Sequence, residues 1–156
     1  MAKEVERKFL VKPGWRPQDA GTHFKQGYLN SQKERVVRVR IEGDHAKLTI
    51  KGINRGLTRS EFEYPIPLAD AAVLLDELCE QPIIDKHRHV ERHGEHLWEI
   101  DVFHGDNDGL VVAEVELASE HDTPTLPPWA GADVSDDSRY FNSNLLKHPF
   151  KDWRRE

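Results

Sequence analysis

Residues 34–51 read ERVVRVRIEGDHAKLTIK, and this stretch carries the signals that decide the fold. On both sides of Gly43-Asp44, apolar side chains alternate with charged ones every second residue, which is the pattern of β-strands and not of helices. A glycine followed by a short polar residue between two such runs favours a tight turn. The stretch therefore predicts a β-hairpin with strands at 34–42 and 45–51.

The same alternation recurs along the chain and predicts a fold dominated by β-structure. Eight strands are expected, at 3–11, 24–30, 34–42, 45–51, 58–66, 83–93, 96–103 and 110–117. Short turns that contain glycine join several of them, so most neighbouring strands should pair antiparallel. Two helices are expected at 68–80 and 135–146, with an irregular proline-containing connector at 119–131.

Length and composition limit the class of protein. The chain has 156 residues, which fits a single domain over residues 1–156. No stretch approaches the roughly 18 consecutive apolar residues of a membrane span, so we expect no membrane association and no export. Cys79 is the only cysteine and cannot form an internal disulfide, which favours the cytoplasm. A net charge of -6 gives no general attraction for nucleic acid, so any anion site needs a local cluster of bases.

Charged side chains occupy one parity in each predicted strand, and apolar side chains occupy the other. Because strand side chains alternate between faces, one face of the sheet should carry nearly all the charge. Acids and bases are also largely separated by strand, and many stand two residues apart. These charged positions are Glu4, Glu6, Lys8, Arg38, Arg40, Lys47, Lys51, Arg59, Glu61, Glu63, Lys86, Arg88, Glu99, Asp101, Glu114 and Glu116.

Two interpretations of the charged face compete. It could be the solvated face of an ordinary antiparallel sheet. However, solvated faces usually include many uncharged polar residues, and neighbouring like charges repel by up to about 4 kcal/mol at 4 Å for an effective dielectric constant of 20. The alternative is a closed barrel, because eight strands leave an interior just wide enough for side chains or one small ligand.

The chemistry of metals and phosphates gives a reason to bring such charges together. Mg²⁺ and Mn²⁺ prefer carboxylate, phosphate and water oxygens, and two carboxylates on one face of a strand can converge on one ion. A triphosphate needs several lysines and arginines, because arginine binds phosphate oxygens in a bidentate manner. The pattern therefore favours a site for a divalent metal and a polyphosphate.

The N-terminal motif Glu4-Val5-Glu6-Arg7-Lys8 fits the pattern E-x-E-x-K, and further motifs follow in order. On these motifs the chain resembles the CYTH superfamily, the triphosphate tunnel metalloenzymes, and most of all its short bacterial inorganic triphosphatases. The further motifs are QGYL with Tyr28, Arg38-x-Arg40, LTIK with Lys51, Glu61-x-Glu63, Lys86-x-Arg88, Glu99-x-Asp101, Glu114-x-Glu116 and Arg139-Tyr140.

The resemblance implies a closed eight-stranded antiparallel β-barrel, with a few outer helices and a C-terminal helix at one mouth. It implies hydrolysis of inorganic triphosphate to pyrophosphate and phosphate with Mg²⁺ or Mn²⁺, in a protein that is often a homodimer. Lys8, beside the metals and paired with Tyr28, would act near the reacting oxygens. The metals would be held by Glu4, Glu6, Glu114 and Glu116, with Glu63 and then Glu61, Glu99 and Asp101 as further candidates. The phosphates would be held by Arg38, Arg40, Lys51, Lys86, Arg88 and Arg139.

The sequence departs from the family where Phe141 and Asn142 follow Arg139-Tyr140, since a second base often stands there. Other functions stay open at this point: adenylate cyclase, thiamine or nucleoside triphosphatase, and a polyphosphate-binding module without turnover. A zinc site is a further alternative, built from His87, His89, His93 and His96. We expect these histidines outside the tunnel, because His87 and His89 have the parity opposite to Lys86 and Arg88, and the other two flank a turn.

Overall fold

A computed structural model describes residues 3–153, with side chains described from Val5 to Trp153. Nine strands form one sheet, and all their pairings are antiparallel. The strands are β1 Lys3–Val11, β2 Thr22–Asn30, β3 Arg35–Glu42, β4 His45–Gly52, β5 Thr58–Ile66, β6 Ile84–His93, β7 His96–Phe103, β8 Val111–Glu116 and β9 Ala130–Asp133. Among the described residues, no helix is long and apolar enough to cross a bilayer.

The first eight strands close into a barrel, which confirms the predicted fold. Their order is β5-β4-β3-β2-β6-β7-β8-β1, and β1 then pairs with β5 through Lys3–Val5 and Thr58–Ser60. β9 pairs with β1 further along, where Phe9 lies opposite Asp133 and Val11 opposite Ala130. Closure removes the open edges that would otherwise pair with another chain. β9 was not predicted, because four residues after a proline-containing connector are too short to show an alternating pattern.

The outer surface of the barrel is partly covered by the segment after β5. Helix α1, Leu68–Val73, continues into a π-helical turn, Leu74–Leu78, in which the Cys79 amide donates to the Leu74 carbonyl at 2.8 Å. Ala71 of α1 packs on the outer face of β3 and β4, and Leu75 of the π-helical turn packs on β2; both are buried in a cluster with Val39 and Ala46. The predicted helix 68–80 is therefore present but ends at Leu78, before Pro82.

The C-terminal segment fills one end of the barrel interior. The single helix predicted over 135–146 is instead a 3₁₀ turn, Ser138–Tyr140, followed by helix α2, Asn142–Lys147. The two are separate because Phe141 is extended, with φ -71° and ψ 133°. Leu145 and Leu146 of α2 are buried in an apolar cluster with side chains from the strand ends. These side chains are Tyr28, Val36, Ile84, Phe103, Leu110 and Val112.

Replacement of Leu145 by alanine should destabilise the protein, because Leu145 is fully buried in this end of the barrel. Leu→Ala changes in cores cost about 2–5 kcal/mol through lost burial and a residual cavity. The matched control is Leu126→Ala, since Leu126 is 53% exposed and its truncation should change stability by about 0.5 kcal/mol or less. Urea unfolding monitored by circular dichroism measures both variants. Equal free energies of unfolding for the two would contradict this role for α2.

Candidate functional site

The charged parity of the strands faces the barrel interior, so the solvated-face interpretation is wrong. The interior holds a cavity of about 290 Å³ whose lining is mostly charged. Glu42 lies at the β3–β4 turn, whereas Val36 and Lys51 lie near the other end of the same hairpin, so residues from both ends of the barrel contribute to the lining. The charged lining residues are Glu6, Lys8, Arg38, Arg40, Glu42, Lys47, Lys51, Arg59, Glu61, Glu63, Arg88, Glu99, Glu114 and Glu116.

The bases of β3 and β4 form a buried positive group. Arg38 and Arg40 are inward neighbours on β3, and Lys51 projects from β4; all three are buried but line the cavity. Burial, together with the neighbouring charges of Arg38 and Arg88, lowers the pKa of Arg40 to about 10. The electrostatic environment of this wall therefore favours the arrival of an anion.

Arg38 carries the clearest sign of a missing anion. Its Nε is buried without a hydrogen-bond partner among the described residues, and its Nη2 donates to Thr49 Oγ1 only at 3.5 Å. A buried donor without a partner costs free energy, so the great majority of such groups are satisfied in native proteins. By contrast, the Nε of Arg40 donates to Gln26 Oε1 at 2.8 Å. An anion in the cavity would supply the partner that Arg38 lacks.

The carboxylates of β1 and β8 form the acidic counterpart. In the register of these strands Glu6 lies opposite Glu116, and Lys8 lies opposite Glu114. Burial opposes ionisation of Glu114, but the charges of Lys8, Arg88 and Lys86 outweigh it and hold its pKa well below the ordinary value. Glu114 is therefore an anion at neutral pH. The side chain of Glu4 lies outside the described residues, so its predicted place beside Glu6 stays a prediction.

Lys8 lines the cavity beside the acids of β1 and β8. Its Nζ is 3.4 Å from Glu114 Oε1, donates to the Tyr140 carbonyl at 3.1 Å and lies 5.5 Å from the centre of the Phe141 ring. Tyr28 also lines the cavity, but its hydroxyl accepts a hydrogen bond from Gln26 Nε2 at 3.4 Å. Lys8 and Tyr28 thus share the cavity and bond to different partners.

Lys86, Arg88 and Asp101 form a buried ion cluster of which only Arg88 belongs to the lining. Lys86 Nζ is 2.7 Å from Asp101 Oδ2, and Arg88 Nε is 2.7 Å from Asp101 Oδ1. Burial raises the pKa of Asp101, but the two cations overcome this and bring it to about 2. Lys86 is fully buried and is not part of the lining, whereas Arg88 is. Asp101 therefore neutralises bases and is not exposed to the cavity.

Asn142 links α2 to this ion cluster. Its Oδ1 accepts hydrogen bonds from Lys86 Nζ at 3.0 Å and from Gln26 Nε2 at 3.3 Å. Asn142 and Phe141 also line the cavity, at the position where the family often has a second base. Gln26 and Asn142 were not predicted as site residues, because the sequence pattern that indicated the site consisted of charged side chains and these two are uncharged. The parity that Gln26 shares with Tyr28 could have indicated that its side chain points inward.

Other acids of the lining are paired with bases. Glu99 Oε2 lies 3.2 Å from Arg88 Nη1, and three glutamates are paired with lysines. Lys47 Nζ lies 3.2 Å from Glu42 Oε2 and 3.2 Å from Glu63 Oε1, and Lys51 Nζ lies 3.3 Å from Glu61 Oε2. Of these, Glu42 was not a predicted site residue. The interior bases and acids therefore compensate one another.

Arg139 lies apart from the lining residues. Its side chain is 58% exposed and binds the carboxylate of Asp137, with Nη2 at 2.7 Å from Oδ2. Its guanidinium also lies over the rings of Tyr140 and Trp153, at 5.5 and 5.1 Å from their centres. Contact between Arg139 and a phosphate in the cavity would require its release from Asp137.

The acids of β1 and β8 offer oxygen donors for a metal. Among the side chains described from Val5 to Trp153, no three carboxylates, imidazoles or thiols are already grouped as a metal site. Glu6, Glu114 and Glu116 nevertheless offer oxygen donors on two paired strands and line one cavity, which suits a hard divalent cation. The donor chemistry therefore fits Mg²⁺ or Mn²⁺.

The four histidines of the zinc alternative do not line the cavity. His89 Nδ1 is 3.1 Å from Asp19 Oδ1, His93 Nε2 is 2.8 Å from Glu91 Oε1, and His96 Nε2 is 2.9 Å from Asp122 Oδ2. The fourth, His87, has its Nδ1 2.7 Å from Nε2 of His104. Their positions agree with the expected outward parity.

Comparisons with known proteins agree with this geometry. The inorganic triphosphatase of Acetivibrio thermocellus is 42% identical to the chain over 155 residues, which cover 99% of each protein. The inorganic triphosphatase of Nitrosomonas europaea is 33% identical over 146 residues, or 91% of this chain and 95% of that protein. A crystal structure of an inorganic triphosphatase superposes with a TM-score of 0.65 and 31% identity, over 94% of this chain and 95% of that one. The model of the CYTH domain matches residues 2–147, and the chain belongs to the CYTH family.

Proposed function

We propose that this protein hydrolyses inorganic triphosphate to pyrophosphate and phosphate inside the barrel, with Mg²⁺ or Mn²⁺ as the metal. The single observation that carries the proposal is the cavity lining, in which buried bases and a separate group of carboxylates face one enclosed space. The names of the two relatives support the choice of substrate, because each matches nearly the whole chain. Triphosphate tunnel metalloenzymes of the CYTH family are metal-dependent.

The bases of the cavity would hold the phosphates. Arg38 has a buried donor free for a phosphate oxygen, and Arg40 and Lys51 lie on the same wall. Arg88 lies on β6, which is separated from β3 by β2, and would be the fourth base to bind the phosphates. Lys86 contributes through its contacts with Asp101 and Asn142 and is shielded from the substrate itself. Several fixed bases hold the phosphate chain in line, and positioning is most of what phosphoryl transfer needs from a protein.

The carboxylates would hold the metal. Glu6, Glu114 and Glu116 are the described candidates, with Glu4 and Glu63 predicted to assist. A divalent cation supplies charge neutralisation at the phosphates and acidifies water. In the overall reaction, a water oxygen bonds to a terminal phosphorus, the bridging P–O bond breaks, and pyrophosphate leaves. Lys8 would donate a proton or hydrogen bond to a reacting oxygen, because it lines the cavity and its Nζ lies 3.4 Å from Glu114, a candidate metal ligand.

The other candidate functions receive less support from the lining. A nucleotide or thiamine needs uncharged surface on which a base or ring can pack. Among the described lining residues only Tyr28 and Phe141 are aromatic, and most of the others are charged. A binding module without turnover would need bases alone, yet carboxylates form much of the lining. A homodimer and a cytoplasmic location remain predictions from the family and from the single cysteine.

The first prediction concerns substrate and metal. The purified protein should release phosphate from triphosphate in Mg²⁺ or Mn²⁺ with kcat/KM well above that for ATP, pyrophosphate or thiamine triphosphate, because the lining is ionic. EDTA should abolish the activity. Malachite-green assays across this panel measure the release. Formation of cyclic AMP from ATP at an equal or higher rate would assign the protein as a cyclase instead.

The second prediction separates binding from chemistry. Arg38→Ala should raise KM for triphosphate about tenfold or more, since a charge-assisted phosphate contact is lost. Lys8→Ala should chiefly lower kcat. Steady-state kinetics measure both, and Arg92→Ala is the control because Arg92 is exposed and does not line the cavity. An unchanged kcat in Lys8→Ala would show that Lys8 has no role at the reacting oxygens.

The third prediction concerns the like charges of Glu6 and Glu116, which lie opposite each other on β1 and β8. Like charges at such positions destabilise a sheet. In EDTA, Glu116→Gln should therefore melt at the same or a higher temperature than the parent while losing nearly all hydrolysis. Mg²⁺ with triphosphate should raise the melting temperature of the parent much more than that of the variant.

Differential scanning fluorimetry measures these shifts. The control is Glu95→Gln, which removes one exposed carboxylate from the β6–β7 turn. A Glu116→Gln protein that loses several degrees in EDTA, or that keeps the ligand shift of the parent, would contradict a metal site at Glu116.

A further inference from the structure

Phe24 lies behind the cavity, between two of its arginines. It projects from β2, whose neighbours in the barrel are β3 and β6. The guanidinium carbon of Arg40, on β3, is 5.0 Å from the centre of the Phe24 ring, and that of Arg88, on β6, is 4.7 Å away. Phe24 is 5% exposed and is not among the lining residues. Its ring therefore contacts the arginines and does not reach the cavity.

From these contacts we propose that Phe24 is a positioning residue for the substrate: its ring holds the Arg40 and Arg88 guanidinium groups in place to bind the phosphate chain. This role rests on the proposed function, because it needs an anion in the cavity. Its chemistry is the attraction between a cation and the negative face of an aromatic ring.

The two arginines need such a support because they repel each other. Polar partners fix the nitrogen atoms of both groups. Arg40 Nε donates to Gln26, and its Nη1 lies 3.5 Å from Glu42 Oε1. Arg88 binds Asp101 through Nε and Nη2, and its Nη1 lies 3.2 Å from Glu99 Oε2. Those partners lie at the edges of the planar guanidinium groups, whose N–H donors point outward in the plane, and among the described residues only the ring contacts their flat faces. The ring attracts both cations from one buried position and adds no charge to compete with phosphate. A carboxylate at Phe24 would instead bind the arginines and oppose the substrate.

Arg38 provides an internal comparison. It lies on the same strand as Arg40, is similarly buried and lines the same cavity. Among the described residues it has no ring contact, and its bond to Thr49 is long at 3.5 Å. A loss of the Phe24 ring should therefore affect Arg40 and Arg88 and leave Arg38 unchanged.

Phe24→Leu is the principal test, because leucine keeps an apolar side chain and lacks the ring face. Phe9→Leu is the matched control, since Phe9 is only 4% exposed and packs against Trp98 outside the cavity. Both variants should lose similar thermal stability. With triphosphate and Mg²⁺, Phe24→Leu should raise KM about tenfold, within the range of about 2- to 30-fold expected for cation–π contacts, and change kcat less than about threefold. Phe9→Leu should leave KM unchanged.

A double-mutant cycle distinguishes positioning from general loosening of the barrel. The effect of Phe24→Leu on KM should be much smaller in an Arg88→Met background than in the parent. In an Arg38→Met background it should be as large as in the parent. Phe24→Met serves as a second ring-deleting variant if Phe24→Leu does not fold. Equal KM values in the Phe24 variants and Phe9→Leu, or full additivity with Arg88→Met, would overturn the proposal. A parent protein that does not hydrolyse triphosphate would instead refute the proposed function itself.

Discussion

Charges that leave bulk water need compensation inside the protein, and this constraint governs the whole barrel. Isolated buried ions are costly, so buried charges are found paired. The interior meets the requirement with facing pairs, such as Lys8 with Glu114, Lys51 with Glu61, and Arg88 with Asp101. The pairs are possible because closure of eight strands turns one parity of every strand toward a common axis. The outer parity is free to be apolar and to pack against α1 and the connector.

The same pairing explains how the interior can accept a substrate and a metal. A triphosphate would compensate the charge of the bases, and a divalent cation would compensate the charge of the acids. Both ligands can therefore enter without leaving an unpaired buried charge. Two groups are incompletely compensated in advance: Arg38 has a buried Nε without a partner among the described residues, and Arg40 has a pKa of about 10. Asp101, by contrast, is held by two cations. The bases near Asp101 are therefore held in place, and those of β3 are available to an anion.

The sequence predicted the features that repeat and missed those that occur once. The alternating charge located the eight barrel strands within two residues, because each strand has one face in the interior. β9 and the extended Phe141 depend on tertiary contacts and leave no periodic signal. Phe24, Gln26 and Asn142 support the arginines and Lys86, yet they are uncharged and so lay outside a search for charge. Arg139 was expected at the phosphates, but Asp137, two residues earlier, binds its guanidinium in the structure. A local partner of this kind cannot be recognised from strand parity.

In the proposed function, the carboxylates of β1 and β8 hold a metal next to a triphosphate bound by the arginines of β3. The most direct measurement is anomalous scattering from crystals grown with Mn²⁺ and a non-hydrolysable imido analogue of triphosphate. We expect a Mn²⁺ peak within about 2.5 Å of a carboxylate oxygen of Glu6, Glu114 or Glu116, with the analogue against Arg38 and Arg40. Peaks confined to the outer surface, with Lys8 still paired with Glu114 and the analogue absent from the cavity, would contradict it.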